Sequence, residues 1–132
     1  MTIAHQALLF PTDGLQPLPQ PDDVDQDLLL LGSVRAVSLV HVDEPDYDKA
    51  SEEWSARNDH SASSVLGHFG GRPAWIQGDE TPSCLSCATP MSLVVQLEEG
   101  PDHSTAMNFG GCGGAYAFAC ELCGRAKFLW QC

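Results

Sequence analysis

Apolar and polar residues alternate with a period of two in three stretches of the chain's second half. In MSLVVQLE, Met91, Leu93, Val95 and Leu97 fall on one side; in GAYAFACE, Tyr116, Phe118 and Cys120 oppose Ala115, Ala117 and Ala119; in AKFLWQ, Phe128 and Trp130 oppose Lys127 and Gln131. Successive side chains of a strand point to opposite faces, so this pattern, bounded by Gly, Pro and Asp clusters, predicts three strands. The segments GGRP and NFGGCGG supply turns, their glycines being free to adopt positive φ.

The first half is less regular. TIAHQALLF, residues 2 to 10, predicts a strand that ends in TDGLQPLPQPDD, where Pro17, Pro19 and Pro21 enforce an extended or turning path. In LLLLGSVRAVSLVHV, Val34, Ala36, Val40 and Val42 share one side while Val37 and Leu39 take the other, which predicts a strand covered on both faces. The polar stretch DEPDYDKASEEWSARNDHSASS has Tyr47 and Trp54 as its only large apolar groups. It fits either a short helix about Lys49 to Arg57 or an ordered loop. The expected fold is mainly β, α+β at most. It is a single antiparallel sheet domain over residues 1–132, with an acidic half (1–64), a more regular half (65–131) and at most one short helix.

Charge adds a bias rather than a function. The 132 residues carry 18 acidic and 6 basic side chains, a formal net charge of −12, and twelve of the acids, from Asp13 to Asp59, precede residue 60. No lysine or arginine stripe exists to release phosphate counterions, so nucleic acid is a disfavoured partner. A basic protein partner is electrostatically suited, although the same charge also serves plain solubility. No run of about 18 apolar residues predicts a membrane span. MTIAHQALLF lacks the basic and long apolar regions of a secretory signal, so the expected location is cytoplasmic, where thiols stay reduced and disulfides are the weaker expectation.

The cysteines carry the chemistry. Cys84-Leu-Ser-Cys87 and Cys120-Glu-Leu-Cys123 are two C-x-x-C pairs. A two-residue gap lets a tight turn aim both sulfurs at one point, and two such knuckles supply the four thiolates of a closed tetrahedral zinc site. Placed where MSLVVQLE begins and GAYAFACE ends, the ion ties the ends of two strands together, with Gly124 after the second knuckle suited to a left-handed turn. The competing chemistries are a thiol-redox pair, a disulfide framework, and a catalytic zinc site with Cys112 or a histidine near an open position. The first wants a helix directly behind C-x-x-C, the second an oxidising compartment, and the third His or carboxylate ligands. Either Cys112 or Cys132 can substitute for one of the four sulfurs, but each reads first as a small packed residue or a spare thiol. His5, His41, His60, His68 and His103 form no ligand pair. No nucleophile elbow or phosphate loop is present, and the expectation is a protein that is not an enzyme.

In GGRPAWIQ, Trp75 reads first as a core anchor, and second, with Arg72, as an aromatic and arginine docking spot for a partner. Gln77, Gln96 and Gln131 lie beside apolar strand residues; buried, they must bond to backbone or to each other.

From Leu66 onward, LGHFGGRPAWIQGDETPSCLSC, then MSLVVQL, a glycine-rich turn before YAFACELC, and AKFLWQ resemble the YwqG-like family, a bacterial domain of unknown function. Gly70, Gly71, Pro73, Trp75, Gln77, Cys84, Cys87, Gln96, Cys120, Cys123, Trp130 and Gln131 match its pattern. The same arrangement is similar to programmed cell death protein 2 and its relatives, adaptors that shield a newly made ribosomal protein. That likeness implies binding rather than catalysis and gives the acidic surface a basic client; small bacterial domains of this kind also suggest an immunity or antitoxin-like role.

Overall fold

The computed structural model describes residues 7–9, 13, 14, 16, 37–102, 104 and 106–132. Strands β1 (Gly67–Phe69), β2 (Ser92–Glu98), β3 (Gly114–Cys120) and β4 (Arg125–Gln131) form one antiparallel sheet in the order β1-β2-β3-β4, preceded by helix α1 (Tyr47–Asn58) and a short 3-10 turn at Ala62–Ser64. Among the described residues the domain is mainly β with one α-helix.

Helix α1 forms where the polar stretch offers good ends rather than a strong apolar stripe. The Asp46 carboxylate accepts the Lys49 N–H at 3.0 Å as N-cap, Asp48 sits in the first turn, and Arg57 in the last turn pairs with Glu53 at 2.9 Å. Each end thus carries the charge that complements the helix dipole. Asp59 closes the helix in the left-handed region at φ 54°. Of its side chains only Ser55 is buried, and its Tyr47 stacks on His68 of β1 at 4.7 Å.

Two faces of the sheet differ sharply. On one, Tyr116 and Phe118 are fully buried and cluster with Met91, Leu93, Cys84 and Cys120; burying side chains of this size contributes roughly 1.5–3 kcal/mol each. Trp75 covers them, its ring 4.6 Å from Tyr116 and 5.9 Å from Phe118. On the other, Ala115, Ala117 and Ala119 lie between Val95 and Leu97 of β2 and Ala126, Phe128 and Trp130 of β4.

The single-face pattern expected for Met91, Leu93, Val95 and Leu97 is broken by a bulge. The register steps from Leu93↔Phe118 to Val95↔Ala117, so Val94 is an extra residue without a partner on β3. An inserted residue reverses the facing of everything beyond it. Gln96 consequently lies opposite Tyr116 on the core face, 2% exposed, while Val95 and Leu97 turn to the alanine face.

That reversal places a polar anchor where the 70–80 segment needs one. Gln96 Oε1 accepts the Ala74 N–H at 2.8 Å, and the Tyr116 hydroxyl donates to the Ala74 carbonyl at 2.9 Å. From β4, Gln131 Oε1 accepts the Ile76 and Gln77 N–H groups at 3.0 Å each, and its Nε2 donates to the Gly78 carbonyl and to Glu80, both at 2.9 Å. The irregular segment thereby satisfies its backbone on strand side chains instead of on a neighbouring strand. Gly67 is required at the sheet edge: a Cβ there would stand 1.9 Å from the Gln96 carbonyl oxygen.

The first half departs from expectation. The strand read over residues 2 to 10 lies mostly outside the described residues, and Ala7, Leu8 and Leu9 are not in a strand. Of the strand read in LLLLGSVRAVSLVHV, Val34 and Ala36 also fall outside them. Residues 37–42 belong to no strand, and Val37, Leu39, Val40 and Val42 are 67%, 73%, 59% and 48% exposed. β-propensity alone does not make a strand; it needs a ladder to join, and the described sheet offers this segment none.

Candidate metal centre

The first knuckle is the tip of a small hairpin. Ser83 and Pro90 form an antiparallel bridge, the Cys84 N–H donates to the Thr89 carbonyl, and the Ala88 N–H returns to the Cys84 carbonyl, both at 2.8 Å. The second is the turn between β3 and β4, entered at Cys120 and left at Arg125. Each turn leaves its second cysteine through a left-handed residue, Ala88 at φ 58° and Gly124 at φ 60°. The two C-x-x-C loops thus share one backbone solution despite different sequences.

Because β2 begins at Ser92, paired with Ala119 of β3, the hairpin preceding β2 and the turn following β3 meet at the same end of the sheet. The sulfurs of Cys84, Cys87, Cys120 and Cys123 all lie within 4.8 Å of one another, and Cys87 Sγ is 3.8 Å from Cys120 Sγ. Sulfurs held about 2.3 Å from a tetrahedral ion stand about 3.8 Å apart, so the spacing suits a single four-coordinate ion. No two of these cysteines form a disulfide. Cys84 and Cys120 are buried, Cys123 half-buried and Cys87 exposed.

The electrostatics favour anionic sulfur at one knuckle first. The Ser86 and then the Cys87 N–H groups lower the Cys84 thiol, and the Thr89 hydroxyl and N–H bring Cys87 down to about 6. On the opposite knuckle the Cys123 N–H pulls Cys120 down, but burial and the thiols of Cys84 and Cys87 push it up on balance. Cys123 is raised to about 12, chiefly by its contact with Cys87 and by burial. Four sulfurs in one small volume cannot all ionise unaided; a divalent cation at their centre is what removes that conflict.

Cys112 and Cys132 stand outside the group and are exposed. Cys132 leans on the loop before β3, where a Cβ at Gly110 would be 2.7 Å from its sulfur. Among the described histidines none joins the cluster: His41 lies beside Asp43, His60 stacks on Trp54, and His68 sits between the Gly70 carbonyl and Gln96 Oε1 at 3.0 and 3.2 Å. His5 and His103 lie outside the described residues. Arg72 is exposed, and Trp75 is half-buried with its ring on the core.

A second built feature has only a faint sequence signal, the glycine-rich loop with an acid upstream. The Glu99 carboxylate accepts N–H groups from Phe109, Gly111 and Cys112, the latter two at 3.0 Å, and the Gly113 N–H also faces it. The loop leading into β3 is a backbone nest, an anion-binding concavity, filled by the chain's own carboxylate. Among the described residues no helix is long and apolar enough to cross a membrane. Compared with protein-family models, with curated proteins and with solved structures, the chain matches none.

Proposed function

We propose that this chain is a non-catalytic, zinc-stabilised module that binds a protein partner. The observation that carries the reading is the convergence of Cys84, Cys87, Cys120 and Cys123 within 4.8 Å at one end of the sheet. Zn²⁺ held by four thiolates supplies folding energy and leaves no coordination position for a reacting water. The chain's own residues do the rest: knuckle N–H groups and the Thr89 hydroxyl stabilise sulfur anions, and the hairpin and the β3–β4 turn hold them in place.

The partner side of the reading rests on charge. A net charge of −12 favours encounter with a basic protein, with Arg72 and Trp75 as a docking pair on the 70–80 segment. An adaptor or chaperone for a basic client, or an immunity-type protein, fits this surface, as does the resemblance to the YwqG-like and programmed cell death protein 2 families, and a cytoplasmic setting suits reduced thiols. Elemental analysis of the purified protein, beside pull-down from native lysate with and without added salt, tests both halves. One zinc per chain and salt-sensitive capture of a basic protein are expected; metal-free protein with an unchanged melting temperature in chelator would end the zinc reading.

One observation favours a second reading, a thiol-redox protein: Cys87 is exposed and its thiol is lowered to about 6 by the Thr89 hydroxyl. It requires a reversible disulfide within the cluster. Thiol titration with and without a metal competitor separates the two, since a zinc module yields four thiols only when the metal is withdrawn.

A further inference from the structure

The four clustered sulfurs are not equally sheltered. Cys84 and Cys120 are 2% and 8% exposed, Cys123 is half-buried, and of the four only Cys87 is exposed. Its neighbours Leu85, Ser86, Ala88, Thr89 and Pro90 are exposed as well, so the tip of the first knuckle stands in solvent. Reactivity of a cysteine toward oxidants follows its thiolate character and its access, and within this group access belongs to Cys87. Its sulfur lies 3.1 Å from the Thr89 hydroxyl and 3.8 Å from Cys120 Sγ on the other knuckle. A disulfide holds its sulfurs about 2.05 Å apart, so the gap between Cys87 and Cys120 has less than about 2 Å to close.

Building on the zinc reading, we infer that the metal centre is a peroxide-sensitive switch in which Cys87 takes the oxidant and Cys120 resolves it, a disulfide between them replacing the ion. The Cys87 sulfur attacks one oxygen of hydrogen peroxide, the O–O bond breaks, and the departing hydroxide takes a proton from solvent to leave as water. Cys87 becomes a sulfenic acid. The Cys120 sulfur then attacks the Cys87 sulfur, an S–S bond forms as the S–O bond breaks, and a second hydroxide leaves as water. Two thiolates have been oxidised by two electrons, and the peroxide reduced to two waters. Cys84 and Cys123 remain as the only thiolates, too few to close a tetrahedral zinc site. A disulfide within one knuckle would leave the hairpin and the β3–β4 turn unjoined. The Cys87–Cys120 bond ties the same two corners that the four sulfurs bring together, so oxidation exchanges one clip for another and keeps the sheet. Attack by an external thiol reverses it.

Titration of the zinc-loaded full chain with hydrogen peroxide, in the presence of a chromogenic zinc indicator, tests this. One zinc per chain is expected to appear as two thiols are lost, and dithiothreitol with added zinc to restore both. Cleavage before Asp79 and Asp102 separates Cys84 and Cys87 from the other four cysteines. Fragments 79–101 and 102–132 of the oxidised chain are expected to stay joined until reduced, with tandem mass spectrometry placing the bond between Cys87 and Cys120. Both results are expected unchanged in the Cys112→Ser, Cys132→Ser chain, whose substitutions lie outside the cluster. The oxidised, zinc-free chain is expected to keep a cooperative melting transition that the chelated, reduced chain lacks. Elemental analysis beforehand tells the two failures apart: a chain purified without metal ends the zinc reading itself. A zinc-loaded chain that holds its ion under peroxide overturns the switch alone, as does release with any other pairing of the sulfurs, or an oxidised chain that melts like the chelated one.

Discussion

Cys87 and Cys120, 33 residues apart in sequence, hold their sulfurs 3.8 Å from each other. Nothing but an ion or a disulfide makes that proximity favourable once the thiols ionise, and no disulfide joins them. Apparent binding energies of structural zinc run about 10–16 kcal/mol, comparable to the whole net stability of a domain, about 5–15 kcal/mol. Chelation is therefore expected to abolish the cooperative melting transition seen by circular dichroism, and Cys120→Ser to reproduce that loss without chelator. Cobalt substitution should give the visible bands of tetrahedral thiolate coordination. A chelated chain that melts as before would show the four sulfurs to be a packing feature only.

Gln131 is 2% exposed, and one side chain serves four backbone or side-chain groups of residues 76–80. Replacing it with leucine keeps the volume but strands the Ile76 and Gln77 N–H groups and the Gly78 carbonyl. Leaving buried polar groups unmade costs about 1–3 kcal/mol each where water cannot reach them. Gln131→Leu is expected to destabilise the domain by about 2–4 kcal/mol in urea unfolding, a loss far larger than that for Gln77→Leu, since Gln77 is exposed. Equal effects of the two substitutions would contradict the anchoring role.

How much of this was readable from the residues depended on whether the signal was local. The alternation in GAYAFACE gave β3 with its faces correct, and the two C-x-x-C spacings, together with the strands between them, gave the cluster. The requirement that buried glutamines find backbone partners was also legible, though not that Gln96 and Gln131 would both reach the 70–80 segment. What failed were signals that need a partner to decide them. Val94 reads as one more apolar residue in a strand, and only its opposition to β3 makes it a bulge. VSLVHV has strand composition, but a strand exists only with a ladder to join. Helix α1 stayed ambiguous because its stability comes from Asp46, Arg57 and Asp59 at its ends more than from an apolar stripe.

Ala88 occupies the left-handed position that Gly124 fills in the other knuckle, at φ 58° against 60°. An alanine there costs roughly 1–2 kcal/mol relative to the right-handed region, while glycine restores about 0.4–1 kcal/mol of unfolded-chain entropy that alanine had removed. Ala88→Gly is accordingly expected to stabilise the domain by about 0.5–1 kcal/mol, raising the melting temperature by a few degrees. Ala88→Val, β-branched at the same φ, is expected to lower it. A destabilised glycine variant would mean that the first knuckle is held in its turn by something other than this backbone geometry.

Glu99 is the pH-sensitive element of the loop that leads into β3. Burial alone would raise its carboxyl, but N–H groups from Phe109, Gly111, Cys112 and Gly113 outweigh that and hold it below its ordinary value of 4.5. A carboxylate that binds its proton less tightly folded than unfolded stabilises the fold at every pH above the unfolded value. That contribution then fades as the pH drops from about 4.5 through the lower folded value. Protection of the amides of residues 109–113, each exchange rate taken relative to its intrinsic rate at the same pH, is therefore expected to be high at neutral pH and to fall below about 4.5. Glu99→Gln offers one acceptor and an unwanted donor to the same four N–H groups. It is expected to show the lower protection already at neutral pH, with a stability loss of about 1–3 kcal/mol and no further acid step in this loop. An acid step that persists unchanged in the glutamine variant would assign it to another carboxylate, and protection that is high in both proteins would mean that the nest holds its shape without an anion.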